Sequence, residues 1–175
     1  MSGYRAFLDE DDDNDKYVLT YYHNPTRWNA NLLAINNPIR DANKWSKEIK
    51  YMNDDNTDVS DEIKNLPKNT GGIYIFYLKG LNLPHIENYV LYVGRCKYTK
   101  HQNINKRAKE YLTDKRPRIM KMFRRWKSYL YYRYFPDTDN DAISNNEIIL
   151  IRAIAPEYNE DIPDKIEIRP TTPAF

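Results

Sequence analysis

The chain has 175 residues, a length that suits one domain with an elaboration. With 41% hydrophobic and 30% charged residues it reads as a soluble globular protein able to bury a core; its unusual feature is 16 tyrosines, which serve core and binding surface alike. The single cysteine, Cys96, excludes an internal disulfide, and no apolar run reaches the roughly 20 residues of a membrane span or forms a signal peptide, so a reducing, cytoplasmic home is expected.

The net charge of +2 is unevenly spread. Residues 9–15 are mostly aspartate and glutamate and read as a solvated, mobile tail. Residues 16–22 read as a strand, broken by Asn24-Pro25, and residues 27–35 as a short helix. In residues 41–52, Ala42, Trp45, Ile49 and Met52 recur at helical spacing behind a plausible cap, Asp41, which predicts a helix with one apolar stripe. Residues 53–58 are a polar loop. Residues 60–66 form a brief helix capped by Ser60 that stops before Pro67.

Two runs of β-branched and aromatic residues follow, at 73–78 and 89–93, with Gly, Asn and Pro between them, and predict a hairpin. Alternation puts Tyr74, Phe76 and Leu78 on one face, and Val90 and Tyr92 together on one face of the partner strand. Gly94 suggests a backbone bend or a close approach by a ligand, and Arg95 sets a fixed positive charge beside it. Residues 104–112 read as a helix with Arg107 at the edge of its apolar side and Tyr111 one turn on. Residues 118–129 are an amphipathic basic helix, 130–135 a strand ending at Pro136, and 142–154 a heavily apolar helix ended by Pro156.

From Arg95 to Arg133 cationic side chains face only two acids, Glu110 and Asp114, which is the electrostatic footprint of a polyanion partner. Arg95, Lys97, Lys100, Arg118, Lys121, Arg124 and Arg125 are the candidate DNA-binding residues. His23, His85 and His101 are scattered without ligand spacing, which argues against a structural zinc site, and no Gly-rich phosphate loop is present.

Gly72-Ile73-Tyr74 followed by Tyr92-Val93-Gly94 resembles the paired signature of the GIY-YIG nuclease superfamily. Later landmarks recur in order: an arginine on the helix after the hairpin (Arg107), a glutamate on a later helix (Glu147) and an asparagine beyond it (Asn159). The resemblance covers about residues 66–160, between an N-terminal extension (1–65) and a C-terminal tail (161–175), with residues 79–88 as an inserted hairpin loop. It implies an α+β fold, a small three-stranded antiparallel sheet flanked by helices, and a metal-dependent endonuclease acting on DNA, double-stranded rather than single-stranded.

The resemblance also implies a division of labour. Tyr74 would act as general base or orient the attacking water, in a field of cations from Arg95, Lys97 or Lys100. Tyr92 would hydrogen-bond phosphate or water, and Arg107 would stabilise charge growing on the phosphoryl oxygens. Glu147 would hold one divalent ion, Mg²⁺ or another such as Mn²⁺, and Asn159 would support the arrangement from behind. Tyr111 stands where many members carry histidine. Cys96 reads as a small filler rather than a nucleophile. The alternative is a catalytically silent module that kept the fold and binds nucleic acid or protein.

Overall fold

The structure, a computed structural model, describes residues 37–79, 88–159 and Pro163. The expected acidic tail, the strand at 16–22, the helix at 27–35 and the centre of the hairpin loop lie outside these residues. The expected hairpin forms: β2 (Gly71–Lys79) pairs antiparallel with β3 (Asn88–Cys96). β4 (Leu130–Asp137) pairs with the other edge of β2, and a two-residue strand, β1 (Ile49–Lys50), pairs with β4. The fold is mixed, with a four-stranded antiparallel sheet in the order β1-β4-β2-β3 rather than the expected three strands.

The fourth strand comes from the segment expected to be a helix at 41–52. Asp41 does cap a turn, accepting from the Asn43 N–H, but that turn covers only Ala42–Lys44. The outer edge of β4 then captures the backbone: Ser46 N–H donates to Tyr134 O at 2.8 Å and Tyr51 N–H to Leu130 O at 2.9 Å. The helical spacing was coincidental, because Trp45 packs against Phe135 on one side of the sheet while Ile49 and Met52 enter the core on the other. Pairing with an unfilled strand edge outweighs a modest helix propensity.

Alternation also fails at one point. The β2–β3 register shifts between Phe76, opposite Tyr92, and Tyr77, opposite Val90, so Leu91 is a bulge. Val90 and Tyr92 therefore face opposite sides; Leu91 and Tyr92 enter one core and Val90 packs on the other. β4 runs through Pro136 to Asp137 instead of ending before the proline. β1 reaches only Tyr131 and Tyr132, so Pro136 has no strand on its outer side among the described residues, a position that tolerates a missing N–H.

Among the described residues four α-helices cover the sheet. α1 (Asp61–Lys64), capped by Ser60 as expected, α2 (Ile104–Glu110) and α3 (Pro117–Trp126) lie over one face. Their Ile63, Ile104, Ala108, Ile119 and Met122 meet Tyr74, Phe76, Leu91 and Tyr132 in the larger core. α4 (Asn140–Ile154) covers the opposite face and buries Ile143, Leu150 and Ile151 against Ile73, Val93 and Phe135. It ends where Ala155 takes a left-handed conformation before Pro156. Among the described residues no helix is long and apolar enough to cross a membrane.

Candidate active site

β3 is an edge strand of the sheet, so helices on both faces can reach around it, and a cavity of about 300 Å³ forms there. Its lining draws Tyr74 from β2, Tyr92, Arg95 and Cys96 from β3, Arg107 from α2 and Glu147 from α4, with Lys97, Gln102 and Arg116.

α2 presents Arg107 from a well-fixed position. Asn103 caps the helix by accepting from Lys106 N–H, Asn105 donates to Lys64 O and Leu66 O, and the buried Tyr51 hydroxyl donates to Ala108 O at 2.6 Å. Residues before the hairpin thus anchor the helix that carries the arginine. Arg107 Nε donates to Tyr74 Oη at 3.1 Å and Nη2 to Tyr111 Oη at 3.4 Å, with the guanidinium 4.8 Å from the Tyr111 ring centre. Its Nη1 donates to Glu110 Oε2 at 3.0 Å, and Gln102 Nε2 donates to both Glu110 oxygens. Burial alone would raise the Glu110 pKa, but Gln102 and Arg107 hold it below the ordinary carboxylate value.

The Tyr74 and Tyr111 hydroxyls lie 2.7 Å apart. Both are buried, and burial first, reinforced by neighbouring tyrosines, raises their pKa values well above that of a free phenol. Arg107 works in the opposite direction and does not overcome burial. The expected cationic field therefore leaves both as phenols, and the charge that touches Tyr74 is Arg107, not Arg95, Lys97 or Lys100. One of the two phenolic protons lies between the oxygens. Of the pair, Tyr74 lines the cavity, but its side chain is fully buried and either hydroxyl can be the donor between them.

Gly94 has a different use from the one its sequence position suggests. A Cβ on it would lie 2.6 Å from Tyr74 Oη, so the missing side chain admits the tyrosine ring rather than a ligand. At the start of β2, Gly72 has φ +137, and a Cβ there would collide with Phe135 O.

Glu147 occupies the position on α4 between Ile143 and Ile151, on the buried stripe of the helix. Its side chain is 17% exposed, and its partner is Arg95, whose Nη1 is 3.2 Å from Oε2. Burial raises the Glu147 pKa, with Arg95 and then Arg107 offsetting part of that rise. Asn159 lies behind the site. Its carboxamide accepts from Val93 N–H at 3.0 Å and donates to Val93 O at 2.8 Å, and Tyr158 N–H donates to Leu91 O at 3.0 Å. Together these groups satisfy the outer edge of β3 next to Tyr92. Cys96 is buried, donates weakly to Lys97 O, and has its thiol pKa pushed up by burial to about 11, in keeping with a filler.

Of the candidate DNA-binding residues, Arg95 and Lys97 line the cavity, Arg118 lines a smaller one beside it, and the exposed Lys100 lines neither. Lys121, Arg124 and Arg125 continue along α3 beyond both cavities. Two lining residues escaped the sequence reading. Arg116 stood in the basic run, and the Asp114 two residues before it was the available signal that its charge is held in place. Gln102 carried no signal, since only folding brings it to Glu110.

No protein-family model matches this chain, and no curated protein or solved structure matches it at a significant level.

Proposed function

We infer that the protein is a metal-dependent endonuclease that hydrolyses phosphodiester bonds in double-stranded DNA. The observation that carries this reading is the convergence of Tyr74, Tyr92, Arg95, Arg107 and Glu147, from β2, β3, α2 and α4, on one cavity rich in cations. The likeness of their order to the GIY-YIG pattern supports it as well.

In this reading Arg107, oriented by Glu110, and Arg95 face the phosphoryl oxygens, where positive charge counts most as negative charge grows in the transition state. Tyr74 helps orient the attacking water or a phosphate oxygen as a neutral phenol; its raised pKa favours this role over that of a phenolate base. Tyr92 borders the same space.

The donor set fits a hydrated Mg²⁺ or Mn²⁺ and not a caged ion. Among the described residues no group of three or more His, Cys, Asp or Glu converges, and Glu147 is the one acid lining the cavity. Mg²⁺ is commonly held by one or two carboxylates with water and phosphate oxygens. A bound ion would neutralise charge at the phosphate, with Glu147 as its protein ligand. The Arg95–Glu147 pair favours a second reading, a silent module in which that carboxylate serves packing alone.

Supercoiled plasmid incubated with and without Mg²⁺ separates the two. The wild type is expected to nick and linearise it only with the ion. Glu147→Gln, which keeps the shape and removes the charge, is expected to lose cleavage while retaining DNA binding and a melting temperature no lower than wild type at pH 7. The stability sign follows from the raised pKa, since a carboxyl that favours its neutral form in the fold loses stability as pH rises through that pKa. Equal cutting by wild type and variant would remove Glu147 from the site, and no cutting with any divalent ion would leave the silent module.

A further inference from the structure

A smaller cavity of about 80 Å³ adjoins the candidate site, and the two share Tyr92 and Arg116. Arg118, Ile119, Tyr158 and Asn159 complete its lining, so it holds two guanidinium groups and, among the described residues, no acid. Both arginines are fixed in place. Asp114 accepts from Arg116 Nε at 3.0 Å and from Nη2 at 2.7 Å, and the Arg116 guanidinium lies 5.7 Å from the Tyr111 ring centre. Arg118 Nη1 donates to Asn159 O at 2.6 Å, a neutral acceptor, and among the described residues no carboxylate pairs with it. Such anchoring lowers the entropy lost when an anion is gripped, and planar guanidinium forks match phosphate geometry.

We propose that this second cavity is a phosphate subsite that takes the phosphodiester adjoining the one held beside Glu147, so that a nucleic-acid strand passes from Arg107 over Tyr92 and Arg116 to Arg118. The assignment rests on the nuclease reading for which phosphate is cut; the subsite's own chemistry, two anchored guanidinium groups of which Arg116 is paired with Asp114, does not depend on cutting. Tyr92, 8% exposed, lines both recesses and so lies where the nucleoside joining the two phosphates would pass.

The test compares thymidine 5′-monophosphate with 5′-phosphorylated dithymidylate, titrated by NMR into full-length Glu147→Gln protein. The dinucleotide is expected to bind about 10-fold tighter, the gain from one added charge-assisted contact. Arg118→Ala on that background is expected to erase this advantage while leaving mononucleotide affinity within about twofold, and Arg118→Lys, which keeps a donor to Asn159 O and the charge, to retain most of it. Because Arg118→Ala also loses the bond to Asn159, its melting temperature is measured alongside, and the lysine variant decides the matter if the alanine variant is unstable. Equal binding of the two nucleotides, or Arg118→Lys behaving as wild type while both nucleotides weaken alike in Arg118→Ala, overturns the subsite. A dinucleotide advantage in a protein whose wild type cuts no plasmid upholds the subsite and defeats the nuclease reading alone.

Discussion

Tyr74 shows how one hydroxyl can be both buried and chemically placed. Its ring stacks on Tyr132 at 5.6 Å and packs edge-on to Tyr111 at 5.8 Å, while its oxygen meets Tyr111 and Arg107. Tyr74→Phe keeps these ring contacts and removes the polar atom, so the fold is expected to survive with a loss of about 1 kcal/mol from the stranded partners. Single-turnover cleavage is expected to fall about 100-fold, the scale of one positioned proton-handling group. Cleavage near the wild-type rate would return the hydroxyl to a structural role. The carboxylate poses the matching question. In sequence Glu147 was an acid in a helix of isoleucine and leucine that needed either solvent or a partner, and folding supplies Arg95.

Among the elements, the hairpin carries the tightest constraint, because Tyr74 lies opposite Gly94 across the β2–β3 ladder. Gly94→Ala would force a methyl group into the Tyr74 ring and hydroxyl. The expected result is a loss of about 1–3 kcal/mol in a urea titration, the usual cost of overpacking, together with reduced cleavage as Tyr74 leaves Arg107. An alanine variant with unchanged stability would mean that the ring swings aside freely. The basic helix α3 carries its last-turn arginines away from both cavities. Its last-turn Arg124 and Arg125 lie about 12 Å along the helix axis from Arg116. If α3 tracks the DNA backbone, converting both arginines to alanine is expected to weaken binding about equally for unrelated sequences and to reduce the slope of log affinity against log salt by about 2. An unchanged slope would confine the DNA path to the cavities.

At the scale of the whole molecule, the tyrosine content becomes a liability at high pH. Tyr51, Tyr74, Tyr111 and Tyr132 are fully or almost fully buried, and burial is the first cause of their raised pKa values. The unfolded chain ionises its tyrosines near pH ~10, whereas the fold keeps these protonated, so stability present below that pH is lost above it. Urea midpoints measured from pH 7 to 11 are expected to hold up to about pH 9 and then drop steeply. A flat profile through pH 11 would show that the hydroxyls ionise as readily in the fold as in the open chain.

The sequence by itself determined the hairpin, α2, α3, β4, α4 and the Ser60-capped turn, because each rests on local periodicity, caps and breakers that need no distant partner. It also ordered the residues that meet in the cavity, though not their contacts. Tertiary structure decided the rest. An open β4 edge drew residues 49–50 out of an expected helix, and the bulge at Leu91 turned Val90 away from Tyr92. Gly94 proved to be the clearance for Tyr74, and Gln102 and Arg116 joined the site from loops with no motif of their own. Protonation was settled last. A tyrosine's pKa depends on what surrounds it, and only the packed core pushes those of Tyr74 and Tyr111 well above the ordinary phenol value.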